Sequence, residues 1–151
     1  MSRELQPYIR NYISDIDLSA FIGLSLTLKQ QVDGQHLDPS LCSQNLRHFM
    51  NVINKKVFGN RFSRHGHKLQ IFPVLENSLG ERLHYHMIME IPRETNLNHF
   101  KDLIRTEWQR TRFGHREIHI DETIDMGWTN YITKFHSSKD QVDWENVHLN
   151  R

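Results

Sequence analysis

The sequence predicts an α+β domain of the split β-α-β type, with a central antiparallel sheet, two helices on one face and a C-terminal tyrosine-bearing helix on the other. Strand-like alternation of apolar and polar residues recurs at residues 21–29, 68–76, 81–91 and 116–121. Apolar residues recur at helical spacing from Cys42 to Val57 and from Leu97 to Trp108. The resulting order, β-α-β-β-α-β followed by an extra helix, is typical of ferredoxin-like and RRM-like folds.

The first strand and the first helix have clear sequence patterns. The segment FIGLSLTLK alternates apolar residues with small or polar ones, as expected of a half-buried strand. The following helix is predicted to begin with Asp38 as its cap and Pro39 in its first turn, and to end at Gly59.

A hairpin is predicted between the second and third strands. The residues NSLG at 77–80 have the composition of a turn. The second strand contains Pro73, which cannot donate a ladder hydrogen bond, so this strand is predicted to lie at an edge of the sheet. The third strand, ERLHYHMIMEI, is predicted to lie in the middle and to end at Pro92.

Two further helices and one strand complete the predicted domain. The second helix is capped by Thr95 or Asn96 and precedes the strand REIHID. The last helix covers MGWTNYITKFHSS, with an apolar stripe of Trp128, Ile132 and Phe135. Residues 1–18 are predicted as an amphipathic lead-in and residues 138–151 as a polar tail, so residues 1–151 form one domain.

Composition excludes several classes of protein. The chain has 151 residues and a net charge of +1, so overall charge indicates no particular partner. The single cysteine, Cys42, excludes an internal disulfide and fits a reducing compartment. No apolar run approaches the ~18 residues of a membrane helix, and no membrane partner is expected. Residues 55–68 contain five lysines and arginines and no acid, which suits phosphate contacts or a solvated loop.

Two histidines on one predicted strand indicate a metal site. His84 and His86 are two residues apart, so their imidazoles point the same way, ~6–7 Å apart, and can reach one ion. Glu76 ends the preceding strand, and the hairpin brings it back beside His84 as the preferred third ligand. Two nitrogens and one carboxylate suit Mn²⁺ or Mg²⁺ with open water positions, and would also accept Zn²⁺.

The metal prediction has alternatives. A His-x-His pair on a strand is also common as a solvent-facing pair, and Glu76 also fits the composition of a turn. Glu90 lies on the same face and competes with Glu76 as third ligand, although it ranks lower. The other histidines in this region are expected to be surface or phosphate-contacting groups: His65, His67, His115 and His119.

The last helix has a tyrosine at the border of its apolar stripe. At ~100° per residue, Tyr131 lies ~60° to one side of the stripe and Lys134 a further ~60° round. If the stripe packs on Phe72, Val74 and Ile88 of the open sheet face, the Tyr131 hydroxyl would point at the histidine pair, with Lys134 beside it. In isolation, a Tyr-x-x-Lys pair is more often a half-buried tyrosine and a surface lysine.

Residues 20–137 resemble the HUH endonucleases, specifically the single-tyrosine replication initiators of rolling-circle plasmids and small single-stranded DNA viruses. LHYH is similar to their His-hydrophobic-His strand, and LEN...GERLHYH to their Glu-turn-His-x-His hairpin. NYITKF resembles their Tyr-x-x-Lys helix, and LSLTL corresponds to their first-strand motif. Two features differ. The middle residue of the histidine motif, Tyr85, is aromatic, and no helicase domain follows, which suggests a minimal initiator, a truncated nuclease domain or a transposase relative.

The resemblance implies a metal-dependent single-stranded DNA nickase and strand transferase that initiates rolling-circle replication. Glu76, His84 and His86 would bind Mn²⁺ or Mg²⁺, Tyr131 would form a covalent 5′-phosphotyrosine, and Lys134 would assist it. The expected partners are single-stranded DNA or an origin hairpin, with a host replication helicase and polymerase. The expected location is cytoplasmic in a bacterium, or nuclear for a eukaryotic virus. Candidate contacts to the DNA backbone are Arg61, Arg64, Lys68, Arg110, Arg112 and Arg116.

Three other functions fit parts of the pattern. A single-tyrosine transposase of an insertion sequence has a similar length and metal pair, but its third ligand typically follows the tyrosine, where this chain offers none before His136. A non-catalytic RRM-like module would bind nucleic acid through aromatic residues on the open face, where this chain has histidines and acids. An iron oxygenase can use two histidines and one carboxylate, but usually in an all-β barrel.

Overall fold

The computed structural model describes residues 11, 13–77, 82–132 and 140–150, without the side chains of residues 129, 131 and 132. These residues form a five-stranded sheet, a two-stranded hairpin and four α-helices. The strands are β1 (Phe21–Leu28), β2 (Gln31–Val32), β3 (Gln35–His36), β4 (Ile71–Glu76), β5 (His84–Glu90), β6 (Gly114–Asp121) and β7 (Gln141–Val142). The helices are α1 (Pro39–Phe58), α2 (Asn60–His65), α3 (Leu97–Arg110) and α4 (Met126–Ile132).

The main sheet is antiparallel and has the strand order β6-β1-β5-β4-β7. Its central strand is β5, the strand that contains both histidines. With β7 set aside, the order matches that of a split β-α-β fold. The predicted α+β fold class is therefore confirmed.

Helix α1 begins and ends at the predicted residues. The Asp38 side chain accepts a hydrogen bond from the Leu41 N–H at 2.8 Å, which caps the first turn. Gly59 ends the helix with a φ of 56°, a conformation that glycine adopts without a steric penalty. Helix α3 is capped by Asn96, the second of the two predicted residues.

One face of the sheet is buried beneath α1 and α3. The Trp108 ring of α3 meets the Phe49 ring of α1 edge to face, with ring centroids 5.1 Å apart, and this contact joins the two helices above the sheet. The fully buried strand residues in the same cluster are Ile22, Leu24, Leu26, Leu28, Tyr85, Met87 and Met89. This cluster is the main hydrophobic core.

The opposite face has a smaller apolar cluster in which Trp128 of α4 is packed. This is the face on which the sequence predicts the last helix to pack. The rest of that prediction lies outside the described residues, because Phe135 and the Ile132 side chain are not among them. The buried members of the cluster are Ile13, Phe21, Phe72, Val74, Ile88, Ile124 and Val142.

The predicted edge position of the second strand is wrong. β4 lies between β5 and the short strand β7, where Val74 pairs with Val142. The Pro73 carbonyl accepts a hydrogen bond from the Asp143 N–H at 3.0 Å on the β7 side. Because the N and C=O groups of one strand residue point to the same side, the missing N–H of Pro73 faces away from β5 and leaves that ladder intact.

Residues 140–150 pack against the sheet, whereas the sequence predicts a polar tail at 138–151. Asp140 is only 2% exposed and Val142 5%. Further along, His148 exchanges two backbone hydrogen bonds with Ile71, at 2.8 and 3.0 Å. These contacts cover the outer side of β4 and extend the sheet by one short strand.

The predicted lead-in is described only in part. Ile13 is fully buried in the smaller cluster, while residues 1–10 and 12 lie outside the described residues. A 3₁₀ turn, Leu18–Ala20, then leads into β1. In the described ranges, no helix is long and apolar enough to cross a bilayer.

Candidate metal centre

The β4–β5 hairpin brings three potential metal ligands to one face of the sheet. Glu76 is the direct cross-strand partner of His84, and Val74 is the partner of His86. Because side chains alternate along a strand, Glu76, His84 and His86 project from the same face, opposite to the helix-covered core. The pairing register therefore assembles the site without any loop residue.

The ligand atoms of the three side chains converge on one point. The Nε2 atoms of His84 and His86 are 3.1 Å apart. Glu76 Oε2 lies 3.0 Å from His86 Nε2 and 3.6 Å from His84 Nε2. Adjacent ligands around an ion with ~2.1 Å bonds are about 3.0 Å apart in an octahedron and about 3.4 Å apart in a tetrahedron. The three residues could therefore hold a metal ion.

Each imidazole is oriented through its second nitrogen. His84 Nδ1 lies 2.8 Å from the backbone carbonyl of Arg82. Since a carbonyl can only accept, Nδ1 is the donor in this contact, and Nε2 of the neutral ring is the nitrogen that can bind a cation. His86 Nδ1 lies 3.0 Å from Ser25 Oγ on β1, and that hydroxyl can accept in the same way. Such contacts fix the ring and increase its basicity as a ligand.

The C-terminal segment fixes the end of β4. The Asp140 carboxylate accepts a hydrogen bond from the N–H of Asn77, the residue after Glu76, at 2.9 Å. Leu75, the residue before Glu76, pairs with Gln141 of β7. The backbone that presents the Glu76 carboxylate is therefore held by strands on both of its sides.

Tyr85, between the two histidines, points into the helix-covered core and has a buried partner there. Its hydroxyl donates to Asp143 Oδ2 at 2.8 Å. Asp143 also accepts hydrogen bonds from Ser43 of α1 at 3.1 Å and from Asn146 at 2.8 Å. Burial and the nearby charge of Asp143 raise the pKa of Tyr85 far above its ordinary value. Tyr85 therefore stays a donor and ties the histidine strand to the C-terminal segment.

Gly23 allows α4 to lie close to β1. A Cβ atom at Gly23 would be 2.6 Å from two ring atoms of Trp128, so only glycine leaves space for this indole. The Trp128 Nε1–H also donates to Asp121 Oδ2 at 2.8 Å. Tyr131 belongs to α4, but its side chain and the whole of Lys134 lie outside the described residues. Their predicted approach to the metal centre stays a prediction.

The competing ligands do not join this cluster. Glu90 is at the other end of β5, where it accepts hydrogen bonds from the Gln70 N–H at 2.9 Å and from the Gln70 side chain at 3.3 Å. His119 pairs with Asp121 at 3.0 Å. Within the ranges that the structure describes, Glu76, His84 and His86 are the one group of three or more such residues that could hold a metal ion.

The six candidate DNA contacts are divided among separate regions. Arg61 and Lys68 line a groove at the end of β5 opposite to the histidines. Arg110 forms an ion pair within α3 at 3.1 Å, and Arg112 donates to a glutamine of β3 at 3.2 Å. The remaining two, Arg64 and Arg116, are exposed.

Several supporting residues are not predicted by sequence motifs. Ser25 has the strand parity of the open face, so alternation along β1 is a pattern that could have identified it. Asp140 and Asp143 have no such pattern, because they join the site from a segment with a polar composition and a strand of only two residues.

One hairpin thus places two imidazole nitrogens and one carboxylate oxygen at distances that suit a shared cation. A second layer of contacts from Ser25, the Arg82 carbonyl and the C-terminal segment fixes that geometry. These contacts must support any functional conclusion by themselves, because no protein-family model, curated protein or solved structure matches the chain.

Proposed function

We propose that the protein is a metal-dependent single-stranded DNA nickase and strand transferase of the HUH type, which initiates rolling-circle replication of a plasmid, virus or mobile element. The observation that supports this most directly is the convergence of Glu76 Oε2 with the Nε2 atoms of His84 and His86, at 3.0 to 3.6 Å. The order Glu-turn-His-x-His on one hairpin is the order on which the resemblance to the HUH endonucleases rests. Trp128, three residues before Tyr131, packs over β1, the strand next to β5.

The donor set favours Mn²⁺ or Mg²⁺ as the ion. Two imidazoles and one carboxylate from one hairpin leave coordination positions for phosphate oxygens and water. An ion held by Glu76, His84 and His86 would supply positive charge for the scissile phosphate oxygens and would offset the charge that develops in the transition state. The ligand side chains are only 12% to 18% exposed. This exposure limits contact with bulk water and still leaves the site accessible to flexible single-stranded DNA.

Tyr131 is proposed as the nucleophile. Its phenolate oxygen attacks phosphorus, a tyrosine O–P bond forms, and the bond from phosphorus to the 3′ oxygen breaks. The proton lost by the phenol is balanced by the proton that the departing 3′ oxygen takes up. A free tyrosine has a pKa of about 10, and Lys134 is proposed to favour the phenolate. Attack by another 3′-hydroxyl reverses the step and joins two strands.

The test uses a randomised library of single-stranded DNA, labelled at the 3′ end because the 5′-phosphotyrosine adduct retains the 3′ side of the nick. The chain is incubated with the library and Mn²⁺ or Mg²⁺, denatured and separated by size. We expect a labelled protein band that a chelator abolishes and that Tyr131→Phe loses while it still binds DNA. Tyr8→Phe is the matched control and retains the band.

Peptide mapping of the adduct then identifies the attached residue. A label on the peptide that contains Tyr131 supports the proposal. An adduct that persists in Tyr131→Phe would reject this nucleophile. DNA binding without any adduct from the unsubstituted chain, with either ion, would instead favour the non-catalytic nucleic-acid-binding module.

A further inference from the structure

A groove of about 840 Å³ lies at the end of β5 that is far from the histidines. The end of α1, helix α2, the loop after it and the turn after β5 form its walls. We propose that this groove is a second nucleic-acid site, which binds the backbone and bases of single-stranded DNA away from the metal centre. The choice of DNA rather than RNA as ligand rests on the proposed function.

The groove has a small excess of positive charge, with three cations against two carboxylates. Arg61, Lys68 and Arg93 line it, and none of them forms an ion pair with a carboxylate of the described residues. Of the two acids that line the groove, Glu90 accepts its hydrogen bonds from Gln70, whereas Glu94 is exposed. Unpaired cations of this kind are available to phosphate groups.

The cations of the groove lie beside aromatic rings. The guanidinium carbon of Arg61 is 5.5 Å from the centre of the Phe58 ring. The Phe58 and His67 rings meet edge to face with centroids 6.2 Å apart, and both residues line the groove. Rings on which bases can stack, next to cations that follow the backbone, are the combination used for single-stranded nucleic acid. An inorganic anion would use the cations alone.

The two sites are far enough apart to bind different parts of one strand. β5 runs from His84 to Glu90, and these six residue steps separate the metal centre from the groove by ~20 Å. DNA in the groove therefore leaves the metal ligands accessible to another phosphate of the same molecule. The groove would supply affinity, and the hairpin would supply the chemistry.

Fluorescence anisotropy with a labelled oligothymidylate of about 15 nucleotides tests the groove. The experiment uses the full chain with Tyr131→Phe in the presence of a chelator, so neither cleavage nor metal contributes. Removing one cation that neutralises a phosphate should reduce the slope of log affinity against log salt by about 0.7, so Arg61→Ala with Lys68→Ala should reduce it by about 1.4. Phe58→Leu should weaken binding about five-fold or more with the slope unchanged.

Arg64→Ala is the matched control. Arg64 lies on the same short helix as Arg61 and is exposed, but it does not line the groove. We expect Arg64→Ala to retain the affinity and the slope. Equal losses in Arg64→Ala and Arg61→Ala would overturn the proposal in favour of diffuse surface charge. An unchanged slope in the double variant, or no binding by the parent chain at low salt, would overturn it as well.

Melting temperature and Mn²⁺ affinity check that the groove variants are intact, and the adduct assay separates this inference from the proposed function. Unchanged melting temperature and Mn²⁺ affinity show that the groove variants fold and retain the metal centre. If the groove assignment fails but the enzyme assignment holds, the adduct forms and the groove variants bind like the parent. If the enzyme assignment fails but the groove holds, no adduct forms and the groove variants still lose affinity.

Discussion

The two ends of β5 differ in how their functional side chains are held. At the His84 end, Ser25 and the Arg82 carbonyl contact the two imidazoles, and the C-terminal segment holds the backbone on either side of Glu76. At the Glu90 end, Lys68 and Arg93 are exposed cations without a carboxylate partner in the described part of the chain. The same strand therefore supports a rigid site and an adaptable one.

This difference matches what each end is proposed to do. Metal coordination and phosphoryl transfer depend on positions held to within a fraction of an ångström, so the hydrogen bonds that orient the ligands contribute to rate. Contacts to a nucleic-acid backbone depend mainly on charge and tolerate mobile side chains. Substitutions at one end should therefore leave the function of the other end intact, and this expectation can be tested.

The largest effect is expected from His86→Ala. Loss of one of three ligands should reduce Mn²⁺ affinity by more than about 100-fold, since even indirect supporting contacts contribute 10- to 100-fold. Titration calorimetry with Mn²⁺ measures the change, and oligothymidylate binding in a chelator should stay the same. His119→Ala is the control, because His119 is on the open face but pairs with Asp121. Full Mn²⁺ affinity in His86→Ala would contradict the assigned centre.

Gly23→Ala should slow adduct formation without changing the metal ligands. The added Cβ would overlap the Trp128 ring, so α4 must shift, and a shift of about 1 Å at a reacting group can reduce the rate about 100-fold. Single-turnover assays measure the rate, and Mn²⁺ titration checks the centre. Trp128→Phe in the same chain should recover part of the rate, because a smaller ring relieves the overlap. An unchanged rate in Gly23→Ala would show that the position of α4 does not affect adduct formation.

Ser25→Ala should weaken the centre more modestly. It removes the hydroxyl 3.0 Å from His86 Nδ1, and we expect about a 10-fold loss of Mn²⁺ affinity with little change in stability. Thr27→Val is a matched control on the same strand, since that hydroxyl donates to the Glu117 carbonyl of β6 at 2.6 Å. Equal Mn²⁺ affinities for the two variants would show that Ser25 does not support His86.

Tyr85→Phe should mainly affect stability. Asp143 loses one buried donor, so the free energy of unfolding should fall by about 1–3 kcal/mol, as measured by urea titration. The pKa of Tyr85 is raised in the folded chain, so above about pH 10 the unfolded state releases a proton that the folded state retains. Stability of the parent should therefore fall as the pH rises above that value, and less steeply in Tyr85→Phe. Identical alkaline profiles would show that Tyr85 titrates normally.

The sequence was sufficient to predict the four longer strands of the sheet and the three proposed ligands, because alternation determines the face and a hairpin determines the neighbour. His84 and His86 share a face through their spacing of two, and Glu76 reaches them because consecutive antiparallel strands pair it directly with His84. These are local consequences of strand geometry, and they need no knowledge of distant contacts.

Long-range pairings could not be predicted in this way. β7 has two residues and no periodicity, so its pairing with β4 depends on tertiary contacts that also made the edge prediction from Pro73 wrong. The hydroxyl of Tyr85 finds Asp143 across 58 positions of sequence. Ion pairs also join residues that are far apart in sequence. A run of basic residues does not show that Lys56, for example, forms an ion pair with Glu107.

The order of these contacts along the chain has a consequence for synthesis on the ribosome. Asp140 and Asp143, which fix the end of β4 and the histidine strand, follow all three proposed metal ligands in the sequence. A nascent chain thus contains the ligands, and Tyr131 as well, before the residues that make their arrangement rigid. The contacts of Asp140 and Asp143 with the hairpin can therefore form only after translation has passed residue 143.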